Sequence, residues 1–387
     1  MLHAIVIAAA VAAPLSEAVP PPCGPLTPGP YILTMSPGDS LNNLFGHTAL
    51  VLPDAKGRPV VFDWGNYSLG DWRTVWGVLR GSPSFRLDAE PLPSVLERFR
   101  RRRRFVVAQR LELSERTLVR LQGEVLRQKP LEEPSFEYHW LRRNCTTEVL
   151  AVLDAATDGA ISAQHAAPAP TGPAEHALRH AHDKPAAWLG LHLGCGLVAH
   201  RPGSYWDAMF VPDYAAERLD VSLGEDGQPL VSETCTLVAG ELGFAPAVPP
   251  NRDRGMALAG VLGAAALLGA RRVGPRLAQV GVALVGLQLG LWGTVALLIG
   301  ALGMFEPVWE LHNQPFASPG SFALVFAAWW ARRGDPDGAR VAAVMVAIAA
   351  LGVLGALLRG LSDHNLGVMA LAVPWVTASW WVLRQRA

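Results

Sequence analysis

The last third of the chain constrains the fold most, because it carries very little charge. Residues 255–387 contain nine arginines and five acidic residues, or 14 charged side chains in 133 residues, out of 33 basic and 33 acidic side chains in the whole chain of 387 residues. Five hydrophobic stretches follow one another at about 256–270, 277–304, 320–331, 341–358 and 366–383. Since a helix crosses a bilayer with about 20 residues, residues 251–387 are predicted to form a bundle of about five transmembrane helices. A wholly soluble or wholly disordered protein is excluded.

The positive charges of this region predict its orientation. Eight of its nine arginines lie in alternate loops or at the C-terminus: Arg271, Arg272, Arg276, Arg332, Arg333, Arg340, Arg384 and Arg386. Loops rich in arginine face the cytoplasm, so the preceding domain at 19–250 is predicted to lie outside the bacterial cytoplasmic (inner) membrane, on its periplasmic side. Residues 1–18 form an apolar run that ends in small residues, which is typical of a signal peptide or an N-terminal anchor. The balanced net charge argues against binding to nucleic acid.

A hairpin in the exported domain brings a histidine close to a carboxylate. Strands are predicted over 31–36, 47–52 and 58–64, with a turn at 53–57. If residues 52 and 58 close the turn, His47 lies directly across from Asp63, with about 5 Å between the Cβ atoms. Such a pair can act as the base and its orienting carboxylate in a catalytic triad. The alternative is an ordinary polar pair, and a slip of one residue would separate the two side chains.

The candidate nucleophile is Cys145, at the start of a predicted helix over 145–156. Asn144 is a favourable N-cap, and the first turn of a helix stabilises a thiolate through the helix dipole and its free N–H groups. The same N–H groups can stabilise the oxyanion of acyl transfer. A disulfide or an inert buried thiol is the alternative.

The remaining cysteines and histidines give weaker signals. Cys23, Cys195 and Cys235 are three cysteines of an exported domain, so one disulfide is expected; Cys195–Cys235 is one option, and the pairing stays open. His176 and His180 are spaced as two ligands on one helix face, but no third ligand accompanies them. We therefore predict no metal and no other cofactor.

Three segments resemble a known family. Residues 45–50, 60–65 and 144–147 are similar to those of bacterial lipoprotein N-acyltransferases of the Lnb type, although Asp63 stands where the family usually has asparagine. The resemblance implies an α+β fold, with a circularly permuted papain-like (NlpC-like) thiol domain followed by an all-α transmembrane bundle. It also implies a reaction, in which an acyl chain moves from a phospholipid or lipoprotein ester to Cys145 as a thioester and then to the α-amine of a diacyl lipoprotein.

Several polar residues are candidates for substrate binding, and two other functions remain open. The candidates are Ser36 and Asp39 near the first strand, Asn144 beside the nucleophile, and outward-facing polar residues of the membrane loops, His312, Asn313, His364 and Asn365. A membrane-anchored cysteine peptidase or amidase acting on cell-wall peptide is the first alternative function. A non-enzymatic membrane assembly factor is the second.

Overall fold

The computed structural model describes residues 14–40, 43–66, 84–128, 136–301, 313–358 and 363–384. Most of the predicted signal peptide or anchor lies outside the described residues. The chain forms two compact units. The first extends to Pro185 and includes Arg201–Pro249, whereas the second consists of Ala186–His200 and Pro250–Ala387.

The first unit is built on an antiparallel sheet. Its strands are β1 Tyr31–Met35, β2 His47–Pro53, β3 Pro59–Asn66, β4 Ser84–Pro91, β5 Val106–Leu111, β6 Phe136–Glu137 and β7 Val231–Val238. Six of them are ordered β4-β3-β2-β1-β5-β7, and the two-residue β6 pairs with the outer edge of β4. The strands predicted over 31–36, 47–52 and 58–64 are confirmed as β1, β2 and β3.

Helices cover both faces of this sheet. The helices of this part of the chain are α1 Leu92–Arg101, α2 Glu115–Gln128, α3 Cys145–Ala156, α4 Ala160–Gln164, α5 Pro173–His180, α6 Pro185–Gly194, α7 Leu197–His200, α8 Tyr205–Ala208 and α9 Pro212–Asp220. Of these, α6 and α7 belong to the second unit and not to the layers on the sheet. Alternation along β2 sends Leu50 into a core with α2 and α3, and Val51 into a second core with α1. The α+β class is as predicted, while the circular permutation of a papain-like fold stays a prediction.

A disulfide joins the start of the exported domain to its edge strand. The bond links Cys23 to Cys235, with 4.8 Å between the Cα atoms. The chain before β1 runs beside β7, where the Cys23 N–H donates to the Thr236 carbonyl and places the two sulfurs together. The suggested Cys195–Cys235 pair is therefore wrong, because Cys235 is bonded to Cys23 and Cys195 is a buried thiol of the second unit.

The second unit consists of helices. After α6 and α7 these are α10 Asp253–Val273, α11 Pro275–Ala301, α12 Ala323–Arg332, α13 Asp337–Leu358 and α14 Asp363–Arg384, with a 3₁₀ turn at Pro319–Phe322 before α12. Within the described residues four helices are long and apolar enough to cross a membrane, namely α10, α11, α13 and α14.

The predicted span at 320–331 differs from the other four. It is helical, but α12 has only ten residues and is about 15 Å long, whereas the hydrocarbon core of a bilayer is about 30 Å thick. Residues Pro319–Phe322 form a 3₁₀ turn, so the α-helix begins only at Ala323 and ends at Arg332. The count of five full-length spanning helices is therefore not reproduced among the described residues.

Candidate active site

His47 is held at one end of the sheet by the backbone that precedes it. It is the first residue of β2, and Gly46 before it has a φ of 85°, in the left-handed region that favours glycine. A Cβ at Gly46 would lie 2.5 Å from the Met35 carbonyl oxygen, so a larger residue does not fit there. The strand therefore begins at a fixed point, with the imidazole at the end of the sheet.

The imidazole contacts the carboxylate that the sequence predicted. His47 Nε2 lies 2.7 Å from Asp63 Oδ1, and both side chains are largely buried. The remaining ring nitrogen, Nδ1, is then the one that can exchange a proton with another group. This is the arrangement of a base and its orienting carboxylate.

The register that produces this contact differs from the predicted one. Leu52 pairs with Val60 and Pro53 with Pro59, so the partner of each β2 residue lies two positions further along β3 than a pairing of 52 with 58 would give. Continued along the strands, this register puts Gly65 opposite His47 and moves Asp63 to a diagonal position. The direct pairing of His47 with Asp63 is therefore wrong, but residues 63 and 65 share a face, so the contact survives.

Gly65 is the residue that sequence reasoning missed at this contact. A Cβ on it would lie 2.4 Å from His47 Cε1 and 3.0 Å from Asp63 Oδ1. The missing side chain leaves the space in which the imidazole reaches diagonally to the carboxylate. Its place two residues after Asp63 in the strand was a signal that could have identified it, had the register been known.

Cys145 is the first residue of α3, as predicted. The Asn144 side-chain oxygen accepts hydrogen bonds from the Thr146 and Thr147 N–H groups at 2.8 and 3.0 Å, and the Thr147 hydroxyl accepts from the Asn144 N–H. This capping box fixes where the helix begins. The Thr146 hydroxyl also contacts the Thr48 hydroxyl at 3.0 Å, which ties the start of the helix to β2 beside His47.

The thiol and the imidazole act on each other's protonation. Burial raises the pKa of Cys145, but the charge of His47, a hydrogen bond with His47 and the Thr48 N–H together lower it below its ordinary value of 9.0. Burial lowers the pKa of His47, yet the charges of Asp63 and Cys145 and the hydrogen bonds with them raise it to about 10. Each group therefore stabilises the charged form of the other, so the contact favours a thiolate beside an imidazolium, as an activated nucleophile requires.

One backbone donor remains available beside the sulfur. The Thr146 and Thr147 N–H groups are taken by the cap, and the Glu148 N–H donates to the Asn144 carbonyl. No acceptor for the Cys145 N–H is present among the described residues. This N–H is therefore placed to donate to an oxygen that develops negative charge near the sulfur.

Residues 30–177 match the model of the Lnb N-terminal periplasmic domain. This segment is therefore similar to the N-terminal domain of Lnb-type proteins. The matched segment contains His47, Asp63 and Cys145 and ends before the membrane-spanning helices. No curated protein and no solved structure matches the chain. A periplasmic domain together with four helices able to cross a membrane fits a multi-pass membrane protein.

The candidate binding residues of the first unit lie in different surroundings. The Ser36 hydroxyl donates to the Leu242 carbonyl at 2.5 Å and accepts from the Phe105 N–H at 3.0 Å, so it is used within the fold. The Asn144 amide donates to the Trp140 and Phe210 carbonyls at 2.6 and 3.0 Å, in addition to its role as cap. Asp39 is exposed. A substrate role for these residues stays a prediction, which Asp39 fits best.

The membrane-loop candidates are only partly described. Asn313 is buried, and its amide donates to the His192 carbonyl at 3.2 Å, which connects it to α6 within the second unit. His312 lies outside the described residues. His364 and Asn365 fall in the first turn of α14, but their side chains are outside the described part.

The histidine pair on α5 serves the structure of the first unit. His180 Nδ1 contacts the His176 carbonyl at 2.7 Å, and the neighbouring Arg179 forms a two-pronged ion pair with Asp213 at 2.6 and 2.7 Å. This buried pair joins α5 to α9. Among the described residues no group of three metal-ligating side chains forms a site.

Proposed function

We propose that this protein is a membrane-bound acyltransferase that moves a fatty acyl chain from a lipid ester, through a thioester on Cys145, to the α-amine of a lipoprotein N-terminal cysteine. The observation that carries the proposal is the contact of His47 with Asp63 and with the thiol at the start of α3, in a domain of the Lnb type. Membrane helices on the same chain keep the enzyme in the bilayer that holds both substrates, which raises their effective concentration.

The first half of the reaction forms the acyl-enzyme. The Cys145 thiolate attacks the ester carbonyl of a phospholipid, or of the lipid on the lipoprotein, and the Cys145 N–H donates to the resulting oxyanion. The carbon–oxygen bond then breaks, and the His47 imidazolium gives its proton to the departing alcohol. The products are a thioester on Cys145, a neutral imidazole and the free alcohol of the donor.

The second half transfers the acyl chain to nitrogen. The α-amine of the lipoprotein N-terminal cysteine attacks the thioester, and His47 takes a proton from it. The carbon–sulfur bond breaks, which returns the thiolate and leaves the acyl chain as an amide. Asp63 holds the imidazole with Nδ1 toward the sulfur in both halves, so the same ring serves as acid and then as base. Because an amide is more stable than a thioester, the sequence needs no nucleotide.

The mass of a lipoprotein N-terminus tests this proposal. The chain is expressed in bacteria depleted of their own lipoprotein N-acyltransferase, and a purified lipoprotein is analysed by mass spectrometry. We expect one added amide-linked acyl chain with the unchanged protein and none with Cys145→Ala or His47→Ala. Cys195→Ala is the matched control, since Cys195 is a thiol of the other unit that takes part in no disulfide. An equal gain of mass with Cys145→Ala would refute the transferase, and a loss of muropeptide cross-links that depends on Cys145 would favour the amidase.

A further inference from the structure

Arg104 lies at the same end of the sheet as the Cys145–His47 pair. Met35, the last residue of β1, pairs with His47 on one side and with Val106 on the other. The residues beyond Met35 and before Val106 therefore extend past the end at which His47 begins its strand. There the Arg104 Nε donates to the Ser36 carbonyl at 2.6 Å.

Arg104 differs from the arginines around it by its burial. Four of the arginines around it are paired with acidic residues, namely Arg98 with Glu90, Arg100 and Arg101 with Glu97, and Arg103 with Glu241, and Arg102 is exposed. Arg104 is only 2% exposed, and its guanidinium carbon lies 4.8 Å from the centre of the Phe99 ring. Its Nη2 is buried with no hydrogen-bond partner, and no carboxylate pairs with it, within the part of the chain that the structure describes.

A buried guanidinium without a carboxylate is unfavourable unless negative charge lies nearby. Burial and the charge of Arg102 lower the pKa of Arg104 to about 10, whereas the negative charge of Cys145 raises it. The side chain therefore stays protonated at neutral pH. Among the described residues, the Cys145 thiolate is the negative charge that favours the charged form of this guanidinium.

The charges of the active site explain why a cation belongs there. In the reactive state the Asp63 carboxylate and the Cys145 thiolate are negative and the His47 imidazolium is positive, so these three groups carry one net negative charge. Arg98, whose charge also acts on Asp63, is itself paired with Glu90. We propose that Arg104 is a positioning residue whose guanidinium offsets this net charge, so that it stabilises first the Cys145 thiolate and then the oxyanion formed on the substrate. The oxyanion step rests on the proposed acyl transfer, whereas the thiolate step holds for any reaction at Cys145.

The net charge of the active site stays negative in each state of the proposed reaction. When the tetrahedral oxyanion forms, the thiolate charge moves to oxygen while Asp63 and His47 keep theirs, so the net charge remains negative. In the thioester the imidazole is neutral and Asp63 alone is charged, so Arg104 again balances one negative charge. A fixed cation therefore suits each state without having to move, which is how a preorganised charge lowers a barrier.

The pH dependence of alkylation at Cys145 tests this inference. The full chain in detergent carries Cys195→Ser, so that Cys145 is the free thiol, and modification by N-ethylmaleimide is followed by peptide mass spectrometry from pH 4 to 10. The midpoint is the pH at which alkylation reaches half its maximal rate. With Arg104→Gln we expect this midpoint to rise by about one pH unit, at the low end of the change in pKa that a nearby opposite charge produces. At pH values below the midpoint, a rise of one unit makes the alkylation of Cys145 roughly tenfold slower. Arg104→Lys retains the charge and should keep the original midpoint.

Controls separate this effect from a loss of structure. Arg103→Gln removes an exposed, neighbouring arginine and should leave the midpoint unchanged. Arg104→Met removes the buried polar head together with its charge, so it serves as a second neutral variant if Arg104→Gln does not fold. An unchanged midpoint in a folded neutral variant, or a raised midpoint in a folded Arg104→Lys, would overturn the inference. Since alkylation needs no acyl transfer, a raised midpoint without lipoprotein acylation would count against the proposed function alone.

Discussion

Replacing Gly65 by alanine should break the hydrogen bond between His47 and Asp63 while neither of these two residues is substituted. The added Cβ would lie 2.4 Å from His47 Cε1 and 3.2 Å from His47 Nε2, so the imidazole must leave its present position. A hydrogen bond that involves a charged group contributes about 1.5–3 kcal/mol. Because each 1.4 kcal/mol changes a rate about tenfold, we expect Gly65→Ala to reduce the rate of lipoprotein acylation about 10- to 150-fold.

The assay compares Gly65→Ala with Asp63→Asn and with the double variant, in membranes that contain equal amounts of protein. If both changes act through one contact, the double variant should be no slower than the slower single variant. Gly123→Ala is the matched control, since a Cβ at Gly123 in α2 meets nothing within 4 Å. A Gly65→Ala protein with full activity, or effects that multiply in the double variant, would refute the reasoning.

Three further predictions address the thiol, the disulfide and the membrane topology. His47→Ala should move the midpoint of Cys145 alkylation above 9.0, the ordinary pKa of a cysteine thiol, because burial raises the pKa of Cys145 and the imidazolium is no longer there to lower it. Rapid alkylation of that variant at pH 7 would contradict this prediction. Cys23→Ser should lower the free energy of unfolding of the exported domain by about 2–5 kcal/mol in denaturant titrations, whereas Cys195→Ser should leave it within about 1 kcal/mol, and equal effects would argue against the Cys23–Cys235 bond. A cysteine at Asp335, in a Cys145→Ala background, should react with an impermeant thiol reagent only after the inner membrane is opened; labelling in spheroplasts would place the loop after α12 outside.

The sequence predicted those parts of the fold that depend on local pattern. The helix 145–156 is observed as Cys145–Ala156, because Asn144 supplies a cap whose geometry is fixed by its immediate neighbours. The three strands around His47 were likewise predictable from their alternation and from the turn at 53–57. The family match agrees with the resemblance carried by the segments around His47, Asp63 and Cys145.

The features that the sequence did not predict depend on contacts between distant segments. The hairpin pairs Pro53 with Pro59 instead of residue 52 with residue 58, and the His47–Asp63 contact survives only because this difference moves the partner on β3 by two residues. The Cys23–Cys235 bond joins residues 212 positions apart, which no local pattern specifies. Arg104 is one of five consecutive arginines at 100–104, and only the tertiary structure shows that it is the buried one.

The membrane region illustrates a different limit. Hydrophobic stretches were located correctly, but hydropathy does not determine where a helix begins, and the turn at Pro319–Phe322 leaves α12 with ten residues. Residues 186–200 were assigned to the exported domain on their position in the sequence. Their contacts place them with the membrane helices, where Asn313 bonds to the His192 carbonyl. That grouping depends on packing between segments more than a hundred residues apart.

The mass of Cys145 itself tests the central claim most directly. The full chain is incubated with lipid vesicles in the absence of an acceptor lipoprotein, and the Cys145 peptide is analysed before and after treatment with neutral hydroxylamine, which cleaves thioesters. The account predicts one fatty acyl chain on Cys145, removed by hydroxylamine and transferred when a diacyl lipoprotein is added, and no acyl chain on the His47→Ala protein. A chain that acylates lipoproteins while Cys145 never carries an acyl group would contradict it.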